Sequence, residues 1–289
     1  MARLGAPAAR GAQKPVDFRL IEDRPWGSRL RRVEPWGPFL LVGAALGAWE
    51  VLARTATISP TFFPPPSAIV TVLGRLMFDG EVASHAWVTV ARVLTGFALG
   101  AGPGLLLGLA MGASARLRAQ LDPLVAATHP IPKIAVLPLI LVIFGIGELS
   151  KVVLAAVGAF FPMAISTMAG VRQISPIHFE VARSYGATRL KLFTRVVLPG
   201  SLPLALTGAR LSVNVALMLT IAGELVAAQR GLGQMIWFAW QTFRIEEVYA
   251  GLVIISVVGI AFNVILTRFS VWVMPWHTDS RTTADGQPF

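Results

Sequence analysis

Glu180 is the carboxylate with the clearest opportunity to do something. It is the only acid in a basic stretch, Ser175 to Pro199, that separates two apolar runs of membrane-crossing length. Arg183, three residues on, offers it an i,i+3 ion pair worth about 0.2–0.5 kcal/mol. A carboxylate on the polar side of a short helix can equally serve as a contact for another protein. The neighbouring residues predict such a helix. Ser175 suits the N-cap and Pro176 the first helical position, where a missing N–H costs nothing. Ile177, Val181 and Tyr185 fall on one narrow apolar face. Gly186 can take the left-handed conformation that ends the helix. Thr188 is placed to cap a second helix, with Leu190, Phe193 and Val197 on one side and Pro199 as its stop. The expected object is an amphipathic helix-turn-helix held at a membrane surface, which is a docking element.

A second set of polar residues lies inside an apolar run. Arg210 and Asn214 are one helical turn apart, and Glu224 falls within about 30° of their face at 100° per residue. Charges in a span cost about 2.5–3.5 kcal/mol on insertion scales unless they meet a cavity or a partner. One reading is a polar stripe lining a translocation path. The other is snorkelling of Arg210 and Glu224 to the two interfaces. Glu50 and Lys151 read as interfacial. Trp237, Phe238, Trp240 and Phe243 read as an aromatic belt on the outer side.

Other chemistry is excluded. There is no cysteine, hence no disulfide and no thiolate site. His85, His129, His178 and His277 lack ligand spacing, so no metal site is expected. No Gly-x-x-x-x-Gly-Lys-Ser/Thr loop occurs, so ATP hydrolysis by that route needs another polypeptide.

The elements that carry these residues are membrane helices. The chain is 55% hydrophobic and 14% charged, with mean hydropathy +0.67. Six spans are predicted near 36–54, 90–112, 124–145, 151–171, 201–227 and 249–274, the third interrupted by Pro130, Pro132 and Pro138. Residues 1–35 form a basic tail, 36–277 the membrane domain with the hairpin 175–199, and 278–289 a C-terminal tail. The polar residues ahead of the first span, with no cleavage site after it, argue against a signal peptide. The net charge of +10 follows topology rather than nucleic acid: basic residues gather in the tail, at Arg116 and Arg118, in the hairpin, and at Arg268 and Arg281. The positive-inside rule then puts both termini and the hairpin in the cytoplasm, beside membrane lipids. Gly96, Gly100, Gly104, Gly108 and Gly112 recur every fourth residue of the second span, a small-residue stripe suited to close helix packing, static or sliding. Pro103 predicts a kink there.

Glu180-Val-Ala182, Gly186 and Val196-x-Leu198-Pro199 closely resemble the EAA loop of binding-protein-dependent ABC transporter permeases. Val181 and Val196 are the only departures, both conservative. Pro130 to Leu139, Phe144 to Lys151, Phe161-Pro-Met, Gly231-Leu-Gly and Glu247 to Gly251 look like the nitrate/sulfonate/taurine subgroup. The likeness spans roughly residues 60–275. It implies an all-α, type I importer permease of six spans with a cytoplasmic coupling helix, in a bacterial inner membrane. It implies that Glu180, Ala182, Gly186, Leu198 and Pro199 couple to an ATPase. It further implies a second permease copy as a homodimer, two ABC ATPase subunits that bind the ATP, and a periplasmic or lipid-anchored solute-binding protein. No cofactor is expected in this chain. The cargo implied is a sulfonate, taurine, nitrate or similar anion. An ATP-independent secondary transporter or channel is the alternative, with a non-transporting scaffold behind it.

Overall fold

The structure, a computed structural model, describes residues 36–276, and every regular element among them is helical. The chain divides into residues 1–51 and residues 52–289. The first unit contributes most of one apolar helix, α1 (Gly37–Arg54). The basic tail 1–35 and the C-terminal tail lie outside the described residues, as do His277 and Arg281.

The second unit is built on a parallel helix pair. Helix α2 (Pro66–Phe78) leads through Gly80 into α3 (Glu81–Ala113), 33 residues long and thus about 50 Å. Ser114 ends α3 and caps α4 (Ala115–Thr128), its hydroxyl accepting from Leu117 N–H at 3.3 Å. A 3-10 turn (Lys133–Val136) and α5 (Leu137–Phe144) follow. Helix α6 (Glu148–Arg172) then runs alongside α3 in the same direction. The glycine stripe is the reason they meet so closely. A Cβ on Gly104 would come within 2.6 Å of the Phe160 carbonyl oxygen, one on Gly108 within 2.5 Å of that of Ala164, and one on Gly100 would overlap that of Ala156. Gly102, off the stripe, would meet nothing within 4 Å. This is backbone-to-backbone packing of the small-residue kind.

Three predicted elements differ from what forms. The third span is a broken pair: α4 and the 3-10/α5 segment meet at 81°. Pro130 and Pro132 lie in the break, where each removes a backbone donor. Counted as one span, the pair brings the membrane-length elements among the described residues to six; counted apart, there are five. The second correction is at Pro199. After α7 (Pro176–Ser184) and α8 (Arg189–Leu192), the backbone makes a π-helical turn (Phe193–Val197) and continues into α9 (Leu198–Ala227). Pro199 does not stop the helix: it sits in the first turn of α9, and the wider turn before it absorbs the missing donor. The second helix of the hairpin is therefore continuous with a span. The second span, likewise, begins at Glu81 rather than near 90, and Pro103 lies inside an unbroken helix.

Helix α9 packs antiparallel on α6. Gly158 faces Leu219, Gly208 faces Ser166, and Gly170 faces Ser201. Helix α10 (Leu232–Gln241) is short, and α11 (Ile245–Val273) completes the bundle. The core where α3, α6, α9 and α11 converge holds Val93, Ala155, Ala159, Val213, Ala216, Leu217 and Phe262. Its small residues on α6 match the close helix approach.

Candidate functional site

The hairpin is built as two short helices around one strained position. Ala187 N–H donates to Ala182 O at 3.0 Å and Gly186 N–H to Arg183 O at 2.9 Å, the paired bonds of a Schellman ending. Gly186 has φ +70°, which that ending requires and which a side chain resists. Ser175 occupies the N-cap of α7, but its hydroxyl makes no capping bond. Thr188 does cap α8, accepting from Lys191 N–H at 3.4 Å. Glu180 is exposed, Ala182 half-buried, Leu198 exposed and Pro199 half-buried. Among the described residues Glu180 makes no ion pair with Arg183. The carboxylate is therefore available to another molecule. The apolar face also points away from the chain's own spans: Ile177 is 58% exposed, Tyr185 87% and Leu190 72%. Phe179 and Val197 turn inward, beside Val171.

Arg210, Asn214 and Glu224 do not share one environment. The Arg210 guanidinium is half-buried, donates from Nη2 to Ser270 Oγ at 3.1 Å, and has a buried Nε that meets no partner among the described residues. Asn214 is exposed and pairs with Asn263 of α11, the two amides bonded both ways at 3.0 and 3.4 Å. Together these residues make a polar row between α9 and α11. Glu224 is not part of it. Its side chain is wholly enclosed by protein.

Glu224 instead anchors a buried charge cluster that the sequence did not single out. Arg92 Nη1 donates to Glu224 Oε1 at 2.7 Å and to the Arg230 carbonyl at 2.7 Å. Its Nε and Nη2 grip the Glu148 carboxylate in a fork, each at 2.5 Å. The Thr89 hydroxyl donates to Glu224 at 2.9 Å and accepts from Leu232 N–H at 2.9 Å, while Gly233 N–H donates to Glu224 Oε2 at 2.9 Å. Gly231 has φ +128°, and a Cβ there would strike the Glu224 carboxylate, so this glycine is what lets α10 close over the acid. Lys151 is buried rather than interfacial, donating from Nζ to the Gly147 carbonyl at 2.9 Å. The cluster ties α3, α6, α9 and α10 at one end of the bundle. Ionisable residues of both signs inside membrane-length helices were the available signal.

Two further groups lie at that end. Glu247 pairs with Arg75 of α2 at 3.1 Å and with Arg244 at 3.0 Å. The Trp237 and Trp240 ring centres lie 5.0 Å apart with the planes tilted by 37°, and the Arg244 guanidinium lies 5.2 Å from the Phe238 ring centre. Among the described residues no group of His, Asp and Glu is placed to hold a metal ion.

A glycine-packed bundle of membrane-length helices with an outward-facing hairpin has the architecture of a multi-pass membrane protein. The chain belongs to the family of binding-protein-dependent transport system inner membrane components, whose pattern matches residues 104–277. It is 37% identical to SsuC of Bacillus subtilis, named for aliphatic sulfonates transport, over 76% of this chain and 80% of that one. It is 35% identical to the taurine transport system permease protein TauC of Escherichia coli, over 80% and 86% of the two chains. Its fold also matches a chain of the MetNI methionine ABC transporter solved in an inward-facing conformation. The TM-score is 0.58 at 24% identity, over 65% of this chain and 93% of that one. The protein is thus a transport permease of an ABC importer, not an enzyme, and it works with ATPase and solute-binding partners. An ATP-independent transporter or channel is not favoured.

Proposed function

We propose that this chain pairs with a second copy of itself to form the translocation path of a bacterial inner-membrane importer for a small anion. The cargo class is a sulfonate, taurine, nitrate or similar anion, a reading supported by the names of SsuC and TauC. Two ATPase subunits sit beneath the pair and bind the ATP; this chain holds no cofactor. A periplasmic or lipid-anchored binding protein delivers the solute above. Both termini are cytoplasmic. Glu180, Ala182, Gly186, Leu198 and Pro199 transmit the ATPase motion, and Arg210 and Asn214 face the solute.

The observation that carries this reading is the hairpin's outward apolar face beside Glu180, which makes no ion pair among the described residues. A soluble surface helix would turn that face to its own core. Continuity of α8 through the π turn into α9 gives a displacement of the hairpin a direct route to the span that holds Arg210 and Asn214. The test is ATP-driven uptake by Glu180→Ala and Gly186→Val variants, with co-purification of the ATPase. Both variants are expected to insert at normal levels and to lose ATPase association or uptake. Wild-type uptake in both would defeat the assignment.

A further inference from the structure

A cavity of about 350 Å³ lies between the hairpin and the ends of α3 and α6. It is lined by the end of α3, by the apolar residues Val171, Ile174, Phe179 and Val197, and by two arginines, Arg118 and Arg172. The composition is divided: an apolar half and a cationic half. Among the described residues neither arginine reaches a carboxylate. Arg118 makes one long bond, 3.4 Å, to the Met111 carbonyl. Two cations at one opening repel each other, and an anion between them removes that repulsion while gaining charge-assisted bonds. The apolar walls add a place for the carbon skeleton that carries the anion. These elements are the ends of spans, so the cavity opens at the level of the lipid headgroups, where basic pockets between helices take anionic heads.

We propose that this cavity binds a phosphate group, that of an anionic phospholipid headgroup seated between the hairpin and the ends of α3 and α6. Guanidinium groups match phosphate oxygens in a fork, and the acyl stem follows the apolar wall. Phe179 belongs to α7 and Val197 to the π turn, so an occupied site braces the hairpin from behind. The surface to which Glu180 belongs stays free. The site needs only that residues 172–199 lie at a membrane surface.

The test uses the full chain in its complex with the ATPase, exchanged into phosphatidylglycerol or phosphatidylcholine bilayers and then extracted into detergent for native mass spectrometry. Wild-type complex is expected to retain phosphatidylglycerol and not phosphatidylcholine. Arg118→Gln and Arg172→Gln should each lower retention about fivefold. Arg268→Gln, a loss of charge outside the cavity, should leave it unchanged. Co-elution of the ATPase reports that each variant is assembled. A thermal-shift arm with inorganic phosphate distinguishes the source. Stabilisation of the wild type but not of the double variant, without lipid retention, assigns the same site to free phosphate. Equal retention in wild type and both variants, or no response to lipid or phosphate, overturns the proposal. Accessibility of a cysteine at position 188 reports the orientation of the hairpin independently.

Discussion

Arg92 uses four of its five N–H donors in a confined space: a fork to Glu148, a bond to Glu224 and a bond to a backbone carbonyl. Removing Arg92 strands the enclosed Glu224 carboxylate without water, whereas Glu148, whose side chain is 68% exposed, stays solvated. Arg92→Met is therefore expected to destabilise the chain by about 3–5 kcal/mol, measured as loss of monodisperse protein on heating in detergent. Arg92→Lys should fall short of wild type, because an ammonium cannot reproduce the fork. Arg92→Met combined with Glu224→Met should be milder than Arg92→Met alone, since no charge is then left orphaned at Glu224; a double variant worse than the single would refute the pairing. Gly231→Ala should resemble loss of the cluster, because the added carbon occupies the place of the Glu224 carboxylate. These residues were hard to read from the chain alone. Arg92, Glu148 and Glu224 are far apart in sequence, and helical spacing can align only residues on the same helix. Glu224 was legible as an unusual acid, and its distant partners were not.

Helices were more legible than their breaks. Apolar length locates the spans at 37–54, 148–172 and 245–273 to within a few residues, because the bilayer fixes that length. The same criterion fails for α4 and α5, where hydropathy runs on while two prolines turn the backbone by 81°. At Pro199 the error has the opposite sign. A proline reads as a stop, yet a π turn upstream lets the helix pass, and no composition signals that turn. The glycine stripe is visible in sequence, but its partner is not, since the pairing with α6 is parallel and crosses the broken span. The packing itself makes a sharp test. Gly104→Leu and Gly108→Leu each put a side chain where α6 backbone already lies. Each should lower the yield of assembled complex by far more than the ~1–3 kcal/mol of ordinary overpacking implies. Gly102→Leu, on the same helix with open space around it, should be tolerated. Equal yields from all three would show that the α3–α6 contact is not what the glycines serve.

Across the whole molecule, charge is arranged at three levels. The buried cluster ties together the end of the bundle where α3 and α6 begin. The Arg210 and Asn214 row lies within the spans, and the basic hairpin occupies the opposite end. The positive-inside reading predicts that a cysteine at position 188, easily followed in a chain with none of its own, is labelled only from the cytoplasmic side. The functions of the levels should separate. Among the described residues Arg210 is held by a single hydroxyl, with its Nε unpartnered, on a helix that crosses the membrane. A cation so poorly matched within a span costs more than one neutral bond returns, and a passing anion would complete its coordination. Arg210→Met should therefore leave the complex assembled and ATPase association intact, because the hairpin is untouched, while uptake of the anion falls at least about tenfold, the effect of losing one charge-assisted contact. Arg210→Lys should recover part of the loss. Uptake and ATP hydrolysis measured on the same proteoliposomes distinguish this from a coupling defect: Arg210→Met hydrolyses ATP without transport, whereas Glu180→Ala loses the ATPase contact itself. Unimpaired uptake by Arg210→Met would remove Arg210 from the path and leave its partnerless Nε without a transport role.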